Sequence, residues 1–312
     1  MPIGEVPDQS GRNMVVTGAS AGLGLETARV LASHGATVIL ACRDVAKGEA
    51  ATDSIVVASA AGRPRPRVVQ LDLASLASVR AAADEIHANC PRLDLLINNA
   101  GVMAIPFGRS DDGFERTFAT NHLGHFALTG LLLERLLATA GSRVVTVSSN
   151  AHRRGRSDFD GLESGHDYEP GQAYDRSKLA NLLFAYELQH RLQAGGAETI
   201  SLAAHPGNAR TSLWRTSSRL ERALLAPRLR LLTFWLVQSA QDGALPTLRA
   251  ALDPDAQGGD YYGPAGWFQY TGRPARVDSS PSSHDRSAQR RLWGLSEQLT
   301  GISYPIPDAE GQ

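Results

Sequence analysis

The chain is poor in the residues that would take it outside an ordinary reducing interior. It has only two cysteines in 312 residues. Cys42 ends a strand-like run and Cys90 lies near a helix end, so a disulfide framework is excluded and a cytoplasmic, reducing setting is the expectation. Neither charge is in excess, since 31 basic and 32 acidic residues leave a formal net charge of −1. A nucleic-acid binder would show a clustered basic surplus, and the short run Arg153, Arg154 and Arg156 reads as a solvated loop. Long apolar runs are missing too. No stretch reaches the roughly 20 residues of a membrane helix, so no transmembrane segment is expected. The greasiest segment, Ala223 to Val237, is broken by Pro227, Arg228 and Arg230. It reads as a substrate lid, with contact at a membrane surface as the alternative. Met1 to Arg12 is polar and lacks the apolar core of a signal peptide. His122, His125 and His152 have no ligand spacing, and no metal is expected.

What is present is a chain 42% hydrophobic, enough for a large core in a single domain. Short β-branched runs alternate with helical patterns: Met14 to Thr17, Thr37 to Ala41, Val68 to Leu71, Leu93 to Ile97 and Arg143 to Val147, then Thr199 to Ala203. Near-continuous apolar strands separated by helices predict an α/β fold with a doubly wound parallel sheet covered on both faces. Gly155 to Gln172 reads as a long loop. Tyr174 to Gln193 reads as a helix with Leu182, Ala185, Leu188 and Leu192 on one stripe. A C-terminal extension from about residue 258 is Gly- and Tyr-rich, then helical from Asp285 to about Leu299.

The first strand runs directly into Thr17-Gly18-Ala19-Ser20-Ala21-Gly22-Leu23-Gly24, which opens a helix. Glycines there let the backbone approach a pyrophosphate, and the helix N-terminus offers free N–H groups and a positive dipole end. The next strand ends at Ala41-Cys42-Arg43, where NAD binders carry an acid for the ribose 2′-hydroxyl. A carboxylate there would repel a 2′-phosphate, whereas a guanidinium pairs with it at about 1.5–3 kcal/mol. NADP(H) is therefore expected over NAD(H). The competing reading turns Asp44 inward and leaves Arg43 merely exposed.

These motifs resemble the short-chain dehydrogenase/reductase family. The glycine turn is similar to its T-G-x-x-x-G-x-G, and Asn98-Asn99-Ala100-Gly101 to its N-N-A-G. Ser149, Tyr174 and Lys178 fit its catalytic trio, and Pro206-Gly207 followed by Thr211 fits its cofactor-closing motif. The finer pattern resembles the retinol-dehydrogenase-like branch: Ala41 to Asp44, Asn121 to Phe126, and Ser148 to His152. The resemblance implies a Rossmann-like fold. It implies that Tyr174 protonates a carbonyl oxygen, that Ser149 hydrogen-bonds the same oxygen and that Lys178 holds the nicotinamide ribose. Asn121 would position a water joining Lys178 to solvent. Gly18, Ser20, Ala21, Gly22, Leu23, Gly24, Asp72, Leu73, Asn99, Ala100, Gly101, Pro206, Gly207 and Thr211 would contact the cofactor. Tyr174 and Lys178 also make sense by spacing, four apart on one helix face. A nearby ammonium favours tyrosinate, and lowering its pKa from 10 to about 7 corresponds to roughly 4 kcal/mol.

Plainer readings stand beside several of these. Ser148 rivals Ser149. A kink or cap is the plainer reading of Asn121, and helix caps are those of Asp72 and Thr211. Ala21 occupies a place where many NADP-binding relatives carry a basic residue, which leaves the preference to Arg43. The wide gap between Ser149 and Tyr174 leaves monomer and homodimer both open. Met103 to Phe107, the 152–172 loop and a lid over about 212–245, rich in leucine with Trp214, Phe234 and Trp235, suit a hydrophobic aldehyde, ketone or alcohol. Reduction of a carbon–carbon double bond and a non-catalytic NADP-binding sensor are the alternatives.

Overall fold

The structure, a computed structural model, describes residues 6–60, 62–159, 167–209 and 238–308. Thr211 and most of the expected lid lie outside them. An eight-stranded sheet runs in the order β3-β2-β1-β4-β5-β6-β7-β8. The strands are β1 (Asn13–Thr17), β2 (Thr37–Cys42), β3 (Arg67–Gln70), β4 (Leu95–Asn98), β5 (Arg143–Val147), β6 (Ile200–Ala204), β7 (Tyr261–Pro264) and β8 (Pro274–Arg276). All neighbours pair in parallel except the β7–β8 edge. This is the doubly wound α/β fold in a single domain.

Successive strand residues face opposite sides of the sheet. Met14 and Val16 of β1 join Leu31 of α1 (Gly22–Ser33), Ile55 of α2 (Val45–Ala58) and Leu248 of α7 (Ala240–Leu252) in one core. Val15 turns the other way. It joins Ile86 of α3 (Leu76–Asn89), Leu132 of α5 (Gly124–Leu137) and Leu188 of α6 (Pro170–Ala194). The short α4 (Arg116–Phe118) leads through a π turn, Ala119–Leu123, into α5. The last helix, α8 (Arg286–Thr300), lays Trp293 against Phe126 and Phe184. Tyr304 then closes over them and donates to the Phe126 carbonyl at 2.6 Å.

Two boundaries differ from the sequence reading. Helix α6 begins at Pro170 rather than Tyr174, because proline is pre-set for a first helical turn and needs no N–H partner there. The Gly- and Tyr-rich tail holds strands β7 and β8 before its helix. Among the described residues, no helix is long and apolar enough to cross a membrane.

Candidate active site

Four backbone turns at the C-terminal ends of β1, β2, β3 and β4 make a groove. It encloses about 370 Å³, and every residue from Gly18 to Gly24 except Ala19 lines it. Gly18 and Gly22 have φ of +67° and +59°, a region that favours glycine. A Cβ on Gly18 would lie 2.9 Å from Ala100 Cα, and one on Gly24 would lie 2.5 Å from the Gly18 carbonyl oxygen. The cradle therefore exists only because these positions lack side chains, and helix α1 opens onto it with its N-terminus free of any side-chain cap. That combination fits a pyrophosphate.

Thr17 fastens the two turns together. Its Oγ1 accepts from the backbone N–H groups of Asn99 at 2.9 Å and Ala100 at 3.0 Å. Asn99 returns a bond from Nδ2 to the Thr17 carbonyl at 2.7 Å. Thr17 Oγ1 also lies 2.9 Å from His125 Nε2, whose Nδ1 is 3.1 Å from the Asn121 carbonyl. A carbonyl only accepts, so Nδ1 carries the proton and Thr17 donates to Nε2. Burial drives the pKa of His125 down to about 4, which keeps this neutral form. Sequence reasoning missed Thr17 and His125 as partners, since 108 residues separate them.

At the adenosine end Arg43 is exposed and lines the groove with Asp44 and Lys47. Asp44 lines the groove beside Arg43. Its carboxylate caps α2 by accepting from Lys47 N at 3.0 Å and pairs with Lys47 Nζ at 2.6 Å. Asp72 also lines the groove. It caps no helix: its Oδ1 accepts from Ala74 N at 2.9 Å, which shapes the turn that carries Leu73 past the opening.

The groove ends at Gly101 and Val102, and here the expected trio gathers. Strand β5 delivers Ser149 and helix α6 delivers Tyr174 and Lys178. Ser149 stands near enough to Tyr174 for its hydroxyl to lower the phenol pKa. The neighbouring Ser148 points away, donating to the Lys178 carbonyl at 2.7 Å. Lys178 is buried and donates to the Val147 carbonyl at 3.0 Å, with its Nζ 5.8 Å from the Tyr174 ring centre. A Cβ on Gly101 would come within 3.5 Å of that Nζ, so the lysine stands beside the Gly101 end of the groove. Asn121 is spent on structure as well as placement. Its Oδ1 accepts from Val102 N at 2.8 Å, and its Nδ2 donates to the Val102 carbonyl and Ser177 Oγ, each at 2.9 Å.

The electrostatics reverse one expectation. Burial is the largest influence on Tyr174 and raises its pKa above the ordinary phenol value. Ser149 and Arg154 pull it down, and Asp175 pushes it up. Burial lowers Lys178 to about 8. Four-residue spacing by itself supplies only an attraction between the two side chains. In this site, desolvation of each charged form outweighs it. Pro206 and Gly207 follow β6 and do not line the groove, and Gln238 donates to the Pro206 carbonyl at 2.7 Å. Gly207 has φ +59°, where an added Cβ would meet the Tyr270 carbonyl.

A glycine-walled groove with a buried lysine beside Gly101, and a serine and a tyrosine close to that lysine, is the equipment of a nicotinamide-dependent oxidoreductase. Residues 12–221 match the short chain dehydrogenase family, and the chain belongs to that family. Within it the similarity is to retinol dehydrogenases. Human retinol dehydrogenase 12 is 43% identical over 296 residues, covering 94% of this chain and 88% of that protein. Mouse retinol dehydrogenase 14 is 40% identical over 303 residues, covering 94% and 86%. The crystal structure of an uncharacterized protein from Mycobacterium paratuberculosis matches with a TM-score of 0.79 at 42% identity, covering 98% of this chain and 99% of that one.

Proposed function

We propose that this oxidoreductase interconverts a hydrophobic aldehyde or ketone and its alcohol, prefers NADP(H) to NAD(H), and uses Tyr174 as its general acid and base. The observation that supports it most is the convergence of Ser149, Tyr174 and Lys178 at the Gly101 end of the groove. A bound nicotinamide supplies or accepts the hydride. Tyr174 gives a proton to the carbonyl oxygen during reduction and takes it back during oxidation. Its raised pKa keeps the phenol protonated at neutral pH, which is the form reduction needs. Ser149 donates a hydrogen bond to the same oxygen. Lys178 holds the ribose hydroxyls and, while charged, offsets negative charge appearing on Tyr174.

The preference for NADP(H) is supported by Arg43 at the groove mouth and by the engagement of Asp44 with α2 and Lys47. For the substrate, the names of the relatives point to a retinoid-like molecule. The stretch from Met103 to Phe107, with the Phe107 ring edge-on to Tyr168 at 5.3 Å, offers an apolar flank. Oxidation of NADPH in the presence of retinal and a panel of hydrophobic aldehydes and ketones tests the reading. Turnover is expected on at least one of them, with Tyr174→Phe slower by about a hundredfold or more. Tight NADPH binding without turnover on any carbonyl, and identical behaviour of Tyr174→Phe, would favour a sensor and sink this function.

A further inference from the structure

Strand β5 stops at Val147, and the last sheet-type bond beyond it runs from Ser148 N to the Ala204 carbonyl at 2.7 Å. Ser149 therefore stands one residue past the ladder. Its direction depends on the short 3₁₀ turn that follows, Asn150–Arg154, which its Oγ caps by accepting from Ala151 N at 3.2 Å. Three of the first four residues of that turn reach by their side chains into one distant segment. Asn150 Nδ2 donates to the carbonyls of Phe268 at 3.1 Å and Gln269 at 3.0 Å. A guanidinium N–H of Arg153 donates to the Asp278 carbonyl at 2.7 Å. His152 is fully buried, lies 2.6 Å from the Ser149 carbonyl through Nδ1, and accepts from Ser280 N at 3.0 Å through Nε2.

The His152 tautomer follows from its partners. A backbone N–H only donates, so Nε2 holds a lone pair. A carbonyl only accepts, so Nδ1 carries the hydrogen. Tyr261 stands perpendicular to the ring at 5.7 Å and holds its plane. Burial lowers the His152 pKa to about 4, so the neutral ring persists through the physiological range.

We propose that His152 is a positioning residue for Ser149: its Nδ1–H grips the serine carbonyl while Ser280 fixes the ring, so that the segment around residues 278–284 sets the direction of the serine hydroxyl. The proposal rests on the reading of Ser149 as a hydrogen-bond donor to the reacting oxygen. It predicts a loss that falls on kcat, because misdirection of a donor by a fraction of an ångström weakens the transition state more than it weakens cofactor binding.

The test is a double-mutant cycle in the NADPH-linked carbonyl assay. His152→Leu is expected to lower kcat about tenfold or more, with the NADPH dissociation constant, read by fluorescence, unchanged. In a Ser149→Ala background the same substitution should cost almost nothing further. His152→Asn, whose amide N–H can replace Nδ1–H, should recover part of the rate. Should His152→Leu not fold, Ser280→Pro removes the N–H that holds the ring, together with a buried hydroxyl that makes no hydrogen bond. The φ of −69° at Ser280 already suits proline, and a smaller kcat loss that vanishes in the Ser149→Ala background is expected. A His152→Leu or Ser280→Pro effect that adds in full to that of Ser149→Ala, or a folded His152→Leu with wild-type kcat, overturns the positioning role alone. Wild-type kcat in Ser149→Ala overturns the role of the serine, and the present inference with it.

Discussion

Arg43 is the side chain on which the proposed preference for NADP(H) rests. It lies exposed at the groove mouth, and the competing carboxylate of Asp44 is held by the first turn of α2 and by Lys47. Ala21 offers no second cation from the glycine turn. Removing Arg43 should therefore act on the 2′-phosphate and on little else. Arg43→Ala is expected to lower the NADPH-over-NADH ratio of kcat/KM by about one to two decades, the equivalent of about 1.5–3 kcal/mol for a charge-assisted contact, with the NADH value nearly unchanged. Steady-state kinetics with both cofactors measures this, and an unaltered ratio would remove Arg43 from the argument. At this scale the sequence carried much of the site. Residues fixed by local chemistry, such as the glycine turn and Arg43, were legible because their reasons lie within a few positions. The pKa of Tyr174 was not, because its direction depends on burial by the whole fold rather than on a lysine one turn away.

Helix α5 shows what an element needs in order to serve a site. It enters through the π turn Ala119–Leu123, a kind of irregularity that recurs at functional positions. That turn aims Asn121 at both backbone groups of Val102. Gly124 follows and packs its Cα against the backbone of Leu73, which lines the groove; a Cβ there would overlap Leu73. Gly124→Ala is expected to destabilise the protein by about 1–3 kcal/mol through overpacking and to weaken NADPH binding, because Leu73 or Asn121 must move. Gly294→Ala on α8 is the contrast. No atom lies within 4 Å of its Cβ, so a gain of about 0.5–1 kcal/mol from helix propensity is expected. Urea melts of the two variants read both, and equal effects would show that space around the added methyl decides nothing. Elements carried by short β-branched apolar runs, β1 to β6, were readable from the sequence. Strands β7 and β8 were not, because their short Tyr-, Gly- and Pro-bearing segments gain strand geometry by pairing with β6 and with each other. The irregularity at Asn121 was legible only as the alternative of a kink or cap; its form as a π turn was not, since it goes with bonds to Val102, 19 residues away.

Taken whole, the molecule keeps four histidines, His122, His125, His152 and His205, almost without solvent contact. Burial is the first cause in each case, lowering His122 and His205 to about 3 and His125 and His152 to about 4. An unfolded chain protonates such rings near pH 6.5. Below that value the unfolded state therefore binds protons that the folded state refuses, so stability falls as the pH falls. The loss begins near 6.5 and grows until the folded-state values near 4 and 3 are reached. With all four rings contributing, the slope between pH 6 and 5 approaches about 5 kcal/mol per pH unit, enough to consume the 5–15 kcal/mol of a typical domain within about two units. The buried ammonium of Lys178, lowered to about 8, acts at the other end. Between 8 and its unfolded value, the unfolded chain again holds the extra proton, so stability rises with pH there. Thermal or urea unfolding followed from pH 8 to 4.5 should show a steep decline below about 6.5, and proton uptake on unfolding at pH 5.5 should approach four. A flat profile across that range would mean that these rings are solvated or charged in the native state. The neutral His125 tautomer that joins Thr17 to Asn121 would then be wrong together with the His152 tautomer that grips Ser149, so one pH series checks both sides of the site.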